Sequence, residues 1–576
     1  MPSVKISAEN SLLSCVCLLL GVVAPLCAQT RPEVSTDQLF QQERWEELAQ
    51  AVQAVTVRSA ELQFEYGVAL AHLERWQEAE GALRAGMKLS PGDKRFPTEL
   101  AGVSFRQKRY DAAAGYLHRA LRLDSGDAYT NEFLATIYYL RGNLEAAVKY
   151  WNRVEGAAGK PQIHQTHSDP PLRLRPALLD HAFAFSPTST LRLDELRVTV
   201  ARLHNLEVIP SSRLELMARP EGNFDAVLHA QELRGFGHNR LEAAVRLLRG
   251  LPFQEVTPEY FNARGSAINF SSLERWDPDK RRTLVSISGP FGFRGAADPR
   301  WRFRVTSDVR NENWQIRNGF TGPAPVLASL NLRRESFSTE ISRLVGWRWK
   351  WAVGAELSRR DYRNVMHPAA IVPELALTGF QLKQTAGLRY EMWRSPERRI
   401  TSVAAADSQA GRVWSRPGQS FEKLQASLEV RWLPRAQGED YATRWHARTG
   451  GAFGQLPFDE LSMLGLDRDT DLWMRGHIGV RNGRKGSAPL GRNYFLGNWE
   501  TDKNLFSNGL VTVTLGPFVD TGKITDPDSG STLGSEKWLW DTGAQTRLRL
   551  LGVGVVFSYG KDLRTGNNAF FATVSR

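Results

Sequence analysis

The spacing of hydrophobic positions changes character along the chain. From about Thr36 to Lys160 apolar residues recur at helical spacing, and the helical phrases themselves repeat. Gly67, Ala101 and Ala135 share one slot; Trp76, Tyr110 and Leu144 a second; Ala79, Ala113 and Ala147 a third; Leu83, Leu117 and Trp151 a fourth, each 34 residues apart. Small residues at such slots let paired helices approach, and large ones fill the gaps between pairs. Pro91 stands at a repeat end, and Glu43 to Val52 reads as the second helix of an earlier, degenerate unit. Residues 157–172 read as a Gly/Pro/His linker, with His164 and His167 solvated rather than metal-binding. A small α+β unit follows over 173–234: a strand at Leu178–Phe185, a helix at Leu191–Val208, and strands at Ser212–Arg219 and Phe224–Glu232 around a Pro220–Asn223 turn. Residues 235–266 carry one more helical phrase, RLEAAVRLLRGL, and a connector.

From Ala267 to Arg576 the period becomes two. Leu424, Ala426, Leu428, Val430 and Trp432 alternate with Lys423, Gln425, Ser427, Glu429 and Arg431. Trp347, Trp349, Trp351, Val353, Ala355 and Leu357 oppose Arg348, Lys350, Glu356 and Ser358. Ala544, Thr546, Leu548 and Leu550 oppose Gln545, Arg547 and Arg549. Strand follows strand with no helix between, tight turns such as Asp277–Lys280 alternate with longer loops, and Trp276, Trp301, Trp314, Tyr390, Trp393, Trp432 and Trp540 stand near strand ends. This pattern predicts an antiparallel transmembrane β-barrel of about 16 strands. Leu472 to Glu500 interrupts it with a Gly-rich, polar stretch carrying an Arg-Gly pair, and reads as a long loop.

Composition narrows the class. The 576 residues are 42% hydrophobic and 24% charged, and a mean hydropathy of -0.37 excludes a helical membrane protein. The net charge of +12 is spread along the chain without basic-aromatic interleaving, so no nucleic-acid partner is expected. Residues 1–28 read as a secretory signal peptide, with Lys5 before an apolar run from Leu12 to Leu26 and Ala28 ahead of the cut. Cys15, Cys17 and Cys27 all fall inside it, so disulfides have no expected part in the mature fold. No Gly-x-Ser-x-Gly, Walker loop, His-Glu-x-x-His or dinucleotide fingerprint is present. The expectation is therefore no enzyme, no cofactor and no metal, with Asp467 and Asp469 solvated in the loop.

Several motifs resemble known families. The 34-residue period resembles tetratricopeptide repeats over 37–160. LLDHAFAF, RLDELRVTVARLHNL and GNFDAVLHAQE resemble a POTRA domain, and RWDPDKRRTLVSISGPF resembles the first hairpin of the barrels that follow such domains. Met474, Arg475, Gly476 and His477 match an apolar-Arg-Gly-aromatic loop motif. Gly497-Asn498-Trp499-Glu500 matches a Gly-x-x-Glu, and Phe518-Val519-Asp520-Thr521-Gly522 matches a Phe-x-Asp-x-Gly. Over residues 173–576 the chain thus resembles the superfamily of BamA-like assembly factors and two-partner-secretion transporters. That resemblance implies a loop folded into a barrel lumen and followed by five strands, near 493–502, 508–519, 540–550, 551–562 and 567–575. It implies that Arg475 pairs with Asp520, helped by Glu500, while Gly476 permits a sharp turn. It further implies a seam between strands near Ala267–Trp276 and Ala569–Ser575, with Phe224–Glu232 a further edge for client peptides. The chain departs from the pattern at His477, expected to pack as an aromatic would, and at its non-aromatic last residue, Arg576. The implied function is insertion of outer-membrane proteins or translocation of proteins across the outer membrane. Unfolded or secreted clients, periplasmic proteins at the repeats and outer-membrane lipid are the implied partners, with the N-terminal modules in the periplasm. The alternatives are a tetratricopeptide-barrel exporter of polysaccharide, a passive outer-membrane channel, or a soluble periplasmic adaptor.

Overall fold

The computed structural model describes residues 35–155, 160–220, 223–233, 240–292, 297–317, 325–366, 376–414, 420–435, 438–526, 533–535, 537–550 and 553–575. The expected signal peptide, Arg576 and part of the Pro220–Asn223 turn lie outside these residues. The chain forms two compact units: residues to 166 with 187–193 and 215–226, and the remainder.

The first unit holds four helix pairs: α1 (Thr36–Gln41) with α2 (Trp45–Gln53), α3 (Ala60–His72) with α4 (Trp76–Leu89), α5 (Arg95–Arg106) with α6 (Tyr110–Leu123), and α7 (Ala128–Leu140) with α8 (Leu144–Trp151). The aligned slots are the contact points. Ala79, Leu83, Ala101, Ala113, Leu117, Ala135 and Ala147 are fully buried. At Gly67 a Cβ would lie 2.5 Å from Leu83 Cγ, so this slot admits no side chain. The repeat is visible in the backbone too. Glu74, Lys108 and Gly142 each close a first helix in the left-handed region, with φ of 58°, 58° and 72°.

The small α+β module contains β1 (Ile163–Ser168), α9 (Pro176–Ala182), α10 (Leu193–Asn205), β2 (Ser212–Ala218) and β3 (Phe224–Ala230), its sheet ordered β1-β3-β2. Three expectations change here. Leu178–Phe185 is not a strand: Pro176 opens a helix there, and Leu178 and Ala182, four residues apart, are its buried face. The supposed linker holds β1, whose single buried apolar residue, Ile163, left no alternation to read. Finally β3 is the central strand, so Phe224–Glu232 offers no free edge; β1 and β2 are the outer strands.

Downstream come α11 (Arg240–Leu248) and two short segments, β4 (Glu255–Val256) and β5 (Glu259–Tyr260), both paired antiparallel to β6 (Asn269–Arg275). The sheet thus begins inside the expected connector. It continues through β7 (Lys280–Phe291), β8 (Asp298–Arg317), β9 (Val326–Val345), β10 (Trp349–Met366), β11 (Gly379–Ser395), β12 (Ile400–Val413), β13 (Ser420–Trp432) and β14 (Tyr441–Gly454). A loop carries four short segments: β15 (Ser462–Met463), β16 (Val480–Arg481), β17 (Arg484–Lys485) and β18 (Leu490–Gly491). Five strands follow it: β19 (Asn493–Ser507), β20 (Val511–Thr525), β21 (Leu539–Leu550), β22 (Val553–Asp562) and β23 (Asn568–Ser575). Each long strand pairs antiparallel with the next, and β14 pairs β19 across the loop's base. Among the described residues this gives nine long strands before the loop and five after it, beside the short β4 and β5.

The sheet's burial is inverted relative to a water-soluble protein. Phe337, Val353, Leu357, Leu424 and Tyr559 are 43–52% exposed, while Arg360, Asp520 and Asp541 on the opposite face are 0% exposed. The helical block is conventional by contrast, and its core sets a direct test. Leu83→Ala in the full chain removes a fully buried side chain and should cost about 2–5 kcal/mol, read as an earlier loss of helical circular dichroism on denaturation.

Candidate functional site

The polar face of the sheet carries more charge than water can reach, and the loop 455–492 supplies the partners. Its path begins at Phe458, whose ring meets Trp314 at 5.1 Å between centroids within a buried apolar cluster including Ile316, Leu330, Leu456 and Leu490. β15 pairs β18, closing the loop on itself, and β16 and β17 form a small hairpin with Gly483 in the left-handed region at its turn.

At the loop's start, Asp459 and Glu460 meet cations from four strands. Asp459 lies 3.1 Å from Arg334 and 3.3 Å from Arg360. Glu460 lies 3.1 Å from Lys383 and 3.3 Å from Arg360, and its backbone carbonyl accepts from Lys423 at 3.0 Å. Tyr362 Oη donates to Asp459 at 2.6 Å. Burial pushes the Glu460 carboxyl up, but Lys383, Arg334, Arg360 and Lys423 together outweigh it and hold the group well below the usual carboxylate range.

A second anchor contradicts the expected solvation of Asp467 and Asp469. Asp467 is 0% exposed. It pairs with Lys280 at 2.5 Å, and Asp469 lies 2.8 Å from Lys280 and 3.0 Å from both Arg275 and Arg282. Lys485, from the loop itself, reaches Glu312 on β8 at 3.0 Å. Burial raises the Asp469 carboxyl, and Lys280, Lys485, Arg275 and Arg282 override it and hold it well below the usual range.

The third anchor reverses the sign. The structure brings Arg475 to Asp520 on β20: Nη2 donates to Oδ1 at 2.6 Å, Nε to Oδ2 at 2.9 Å, and the Arg475 backbone N–H also donates to Oδ2 at 2.9 Å. Nη1 donates to Glu500 Oε2 on β19 and to Gln545 Oε1 on β21, each at 2.9 Å. The guanidinium lies 3.8 Å from the centroid of the Phe518 ring. Every expected motif residue thus falls at one place: Met474 is fully buried beside Leu464, Tyr494 and Ile524, and a Cβ on Gly522 would lie 3.1 Å from Met474 Sδ. Gly476 N–H donates to Asp541 Oδ2 at 2.6 Å, and a Cβ there would lie 2.6 Å from the Asp541 carboxyl carbon. A Cβ on Gly560 would lie 2.1 Å from the Arg475 carbonyl oxygen, so two glycines let the loop backbone touch the wall.

His477 does not pack only as an aromatic ring; it faces two carboxylates. Its Nδ1 stands 3.1 Å from Asp541 Oδ2 and its Nε2 3.8 Å from Asp562 Oδ2, all three residues being buried. His164 and His167 are exposed on β1, as expected, with His164 Nδ1 3.5 Å from Asp225. The anchors missed from sequence, Asp459 and Glu460, do leave a trace: two adjacent acids inside an otherwise apolar run, QLPFDELSML.

Two outcomes follow. Arg475→Ala should leave the buried Asp520 without its countercharge at a cost of about 3–5 kcal/mol, seen as faster protease cleavage within 455–492 of the detergent-purified protein. Arg475→Lys keeps the charge but loses the fork and should fall between the two. Because the Glu460 and Asp469 carboxyls are depressed below their ordinary 4.5 and 3.8, their anchoring is present above those values and is lost only as pH falls through the depressed ones. Loop protection by hydrogen exchange should therefore be flat between about pH 7 and 5 and collapse only in stronger acid.

No family model matches the chain, and no curated protein sequence matches it. Among solved structures it is similar to CdiB from Escherichia coli, at 14% identity and a TM-score of 0.46 over 72% of this chain and 75% of that one. It is also similar to BamA from Haemophilus ducreyi lacking POTRA domains 1-3, at 10% identity and a TM-score of 0.40 over 72% and 85%. The helical region is similar to YrrB, a TPR protein with an unusual peptide-binding site, at 16% identity and a TM-score of 0.20 over 20% of this chain and 62% of that one. At such TM-scores these likenesses carry no argument, and the fold stands on its own elements: an all-α region of helix pairs followed by a large antiparallel sheet.

Proposed function

We propose that the protein is an outer-membrane β-barrel that inserts outer-membrane proteins or passes proteins across that membrane, with its repeat and POTRA-like modules receiving clients in the periplasm. The inverted sheet supports the membrane reading. A face of exposed Leu, Val, Phe and Trp opposed by buried Arg, Lys and Asp suits lipid outside and a polar lumen inside. The strand order supports closure, since it returns from β23 to β4. The β1-α9-α10-β2-β3 order of the small module supports the POTRA reading. The module is tied to the sheet by Arg302, which donates to the Leu206 carbonyl at 2.7 Å and to Glu207 at 2.9 Å, and by Asn205, which donates to the Pro299 carbonyl at 2.7 Å.

The single observation that carries the functional half is the Arg475–Asp520–Glu500 anchor. A long loop held by a forked ion pair against strands after it can be released as a unit, whereas a loop that merely narrows a pore needs no such fork. Depletion followed by comparison of outer-membrane and secreted proteomes tests the role: loss of other barrels indicates insertion, and loss of a secreted protein indicates translocation. Arg475→Ala should reproduce that loss while the barrel still assembles; unchanged client levels would remove the loop from the mechanism.

Leu424→Arg separates the membrane reading from a soluble one. On a lipid-facing position it should cost about 2–4 kcal/mol if near the bilayer midplane, whereas on an exposed face in water it would be close to neutral. Folding titrations in lipid vesicles measure the difference.

A further inference from the structure

We propose that His477, Asp541 and Asp562 form a binding site for a divalent transition-metal ion, of the zinc class, that fastens the loop to strands β21 and β22. The proposal concerns the loop's attachment and does not depend on which clients the barrel handles.

Three observations carry it. The donor atoms of the three residues lie within 4.8 Å of one another, and all three residues are buried. An imidazole nitrogen with two carboxylates is a donor set that zinc accepts with one position left for water. A tetrahedral ion with bonds of about 2.1 Å places its donors about 3.4 Å apart; one imidazole nitrogen and one oxygen of each carboxylate already lie within 4.8 Å of one another, so a small movement of the side chains closes the set around one ion.

Charge is the second observation. Arg475 is matched to Asp520, and Arg547 to Glu500 and Asp502. Asp541 and Asp562 have no lysine or arginine at ion-pair distance among the described residues; His477 is their one basic neighbour. Even a protonated imidazole leaves a net negative charge in a water-excluded site, which is costly. A divalent cation with a neutral histidine and two carboxylates sums to zero.

The third observation is an unfilled acceptor. Asp541 is 0% exposed, and its Oδ2 takes the Gly476 N–H and faces the imidazole, yet its Oδ1 has no hydrogen-bond partner. Asp562 is oriented from the other side: its Oδ1 accepts from the Arg564 N–H at 2.9 Å and its Oδ2 from Thr565 Oγ1 at 2.6 Å. That turn fixes the carboxylate toward the ring, as outer hydrogen bonds do for metal ligands. The ion would add a bond between loop and wall one residue beyond Gly476.

The test uses the untagged full-length protein in detergent, stripped with EDTA and titrated with zinc chloride by calorimetry. Binding of about one equivalent, weakened at least about tenfold in both His477→Phe and Asp562→Asn, is expected, together with slower protease cleavage within 455–492 when zinc is present. Heat-modifiable migration checks that each protein is folded. Absence of zinc binding by the folded wild-type protein overturns the proposal, as does binding that survives both substitutions. If the substituted proteins fail to fold, loop protection in the wild type decides: protection that does not respond to zinc or EDTA overturns it.

Discussion

A sheet that turns its charged face inward must find a partner for every charge it hides. That requirement organises the second unit. Arg334, Arg360, Lys383, Arg275, Lys280 and Arg282 line strands β6 to β11, and Asp502, Asp520, Asp541 and Asp562 line β19 to β22. Each set is neutralised only in part by the sheet itself, through Arg282 with Asp308, Arg334 with Glu356, Arg275 with Glu255 and Arg547 with Asp502. The loop 455–492 answers both, offering Asp459, Glu460, Asp467 and Asp469 to the basic strands and Arg475 to the acidic ones. Removing one partner from such a buried pair leaves an uncompensated charge, so each anchor constrains the others.

The same logic separates specificity from stability. An apolar loop of the same volume could pack the interior as firmly, because desolvating ions offsets most of their attraction. Ion pairs instead define one register. Arg475 reaches Asp520 through two side-chain nitrogens and its own backbone N–H, an arrangement that a one-residue shift would break. Glycines at 476 and 560 complete the fit by removing the atoms that would hold backbone and wall apart.

Much of this is legible in the chain. The 34-residue repeat, the change of period near Ala267 and the five strands after the loop are local patterns, and local patterns survive in a sequence. The Arg475–Asp520 contact was reachable through its motifs. Asp467 and Asp469 were misread because two acids in a Gly-rich loop look solvated until the cations of β6 and β7, nearly two hundred residues earlier, are brought to them. Leu178–Phe185 was misread because a short apolar run fits either period, and Pro176 at its start was the discriminating mark. β1 went unseen because a strand in a small sheet takes its stability from the strand beside it.

Hydrophobic spacing in the chain alone settles which of the long segments are helical and which are extended, and which face of each long strand is apolar, since these depend on neighbours two to four residues away. It leaves open which way the apolar face turns and which buried charges meet. Those were decided by tertiary structure, because a carboxylate's environment is set by whatever cation the fold carries to it, and in this chain those cations come from strands far away in sequence.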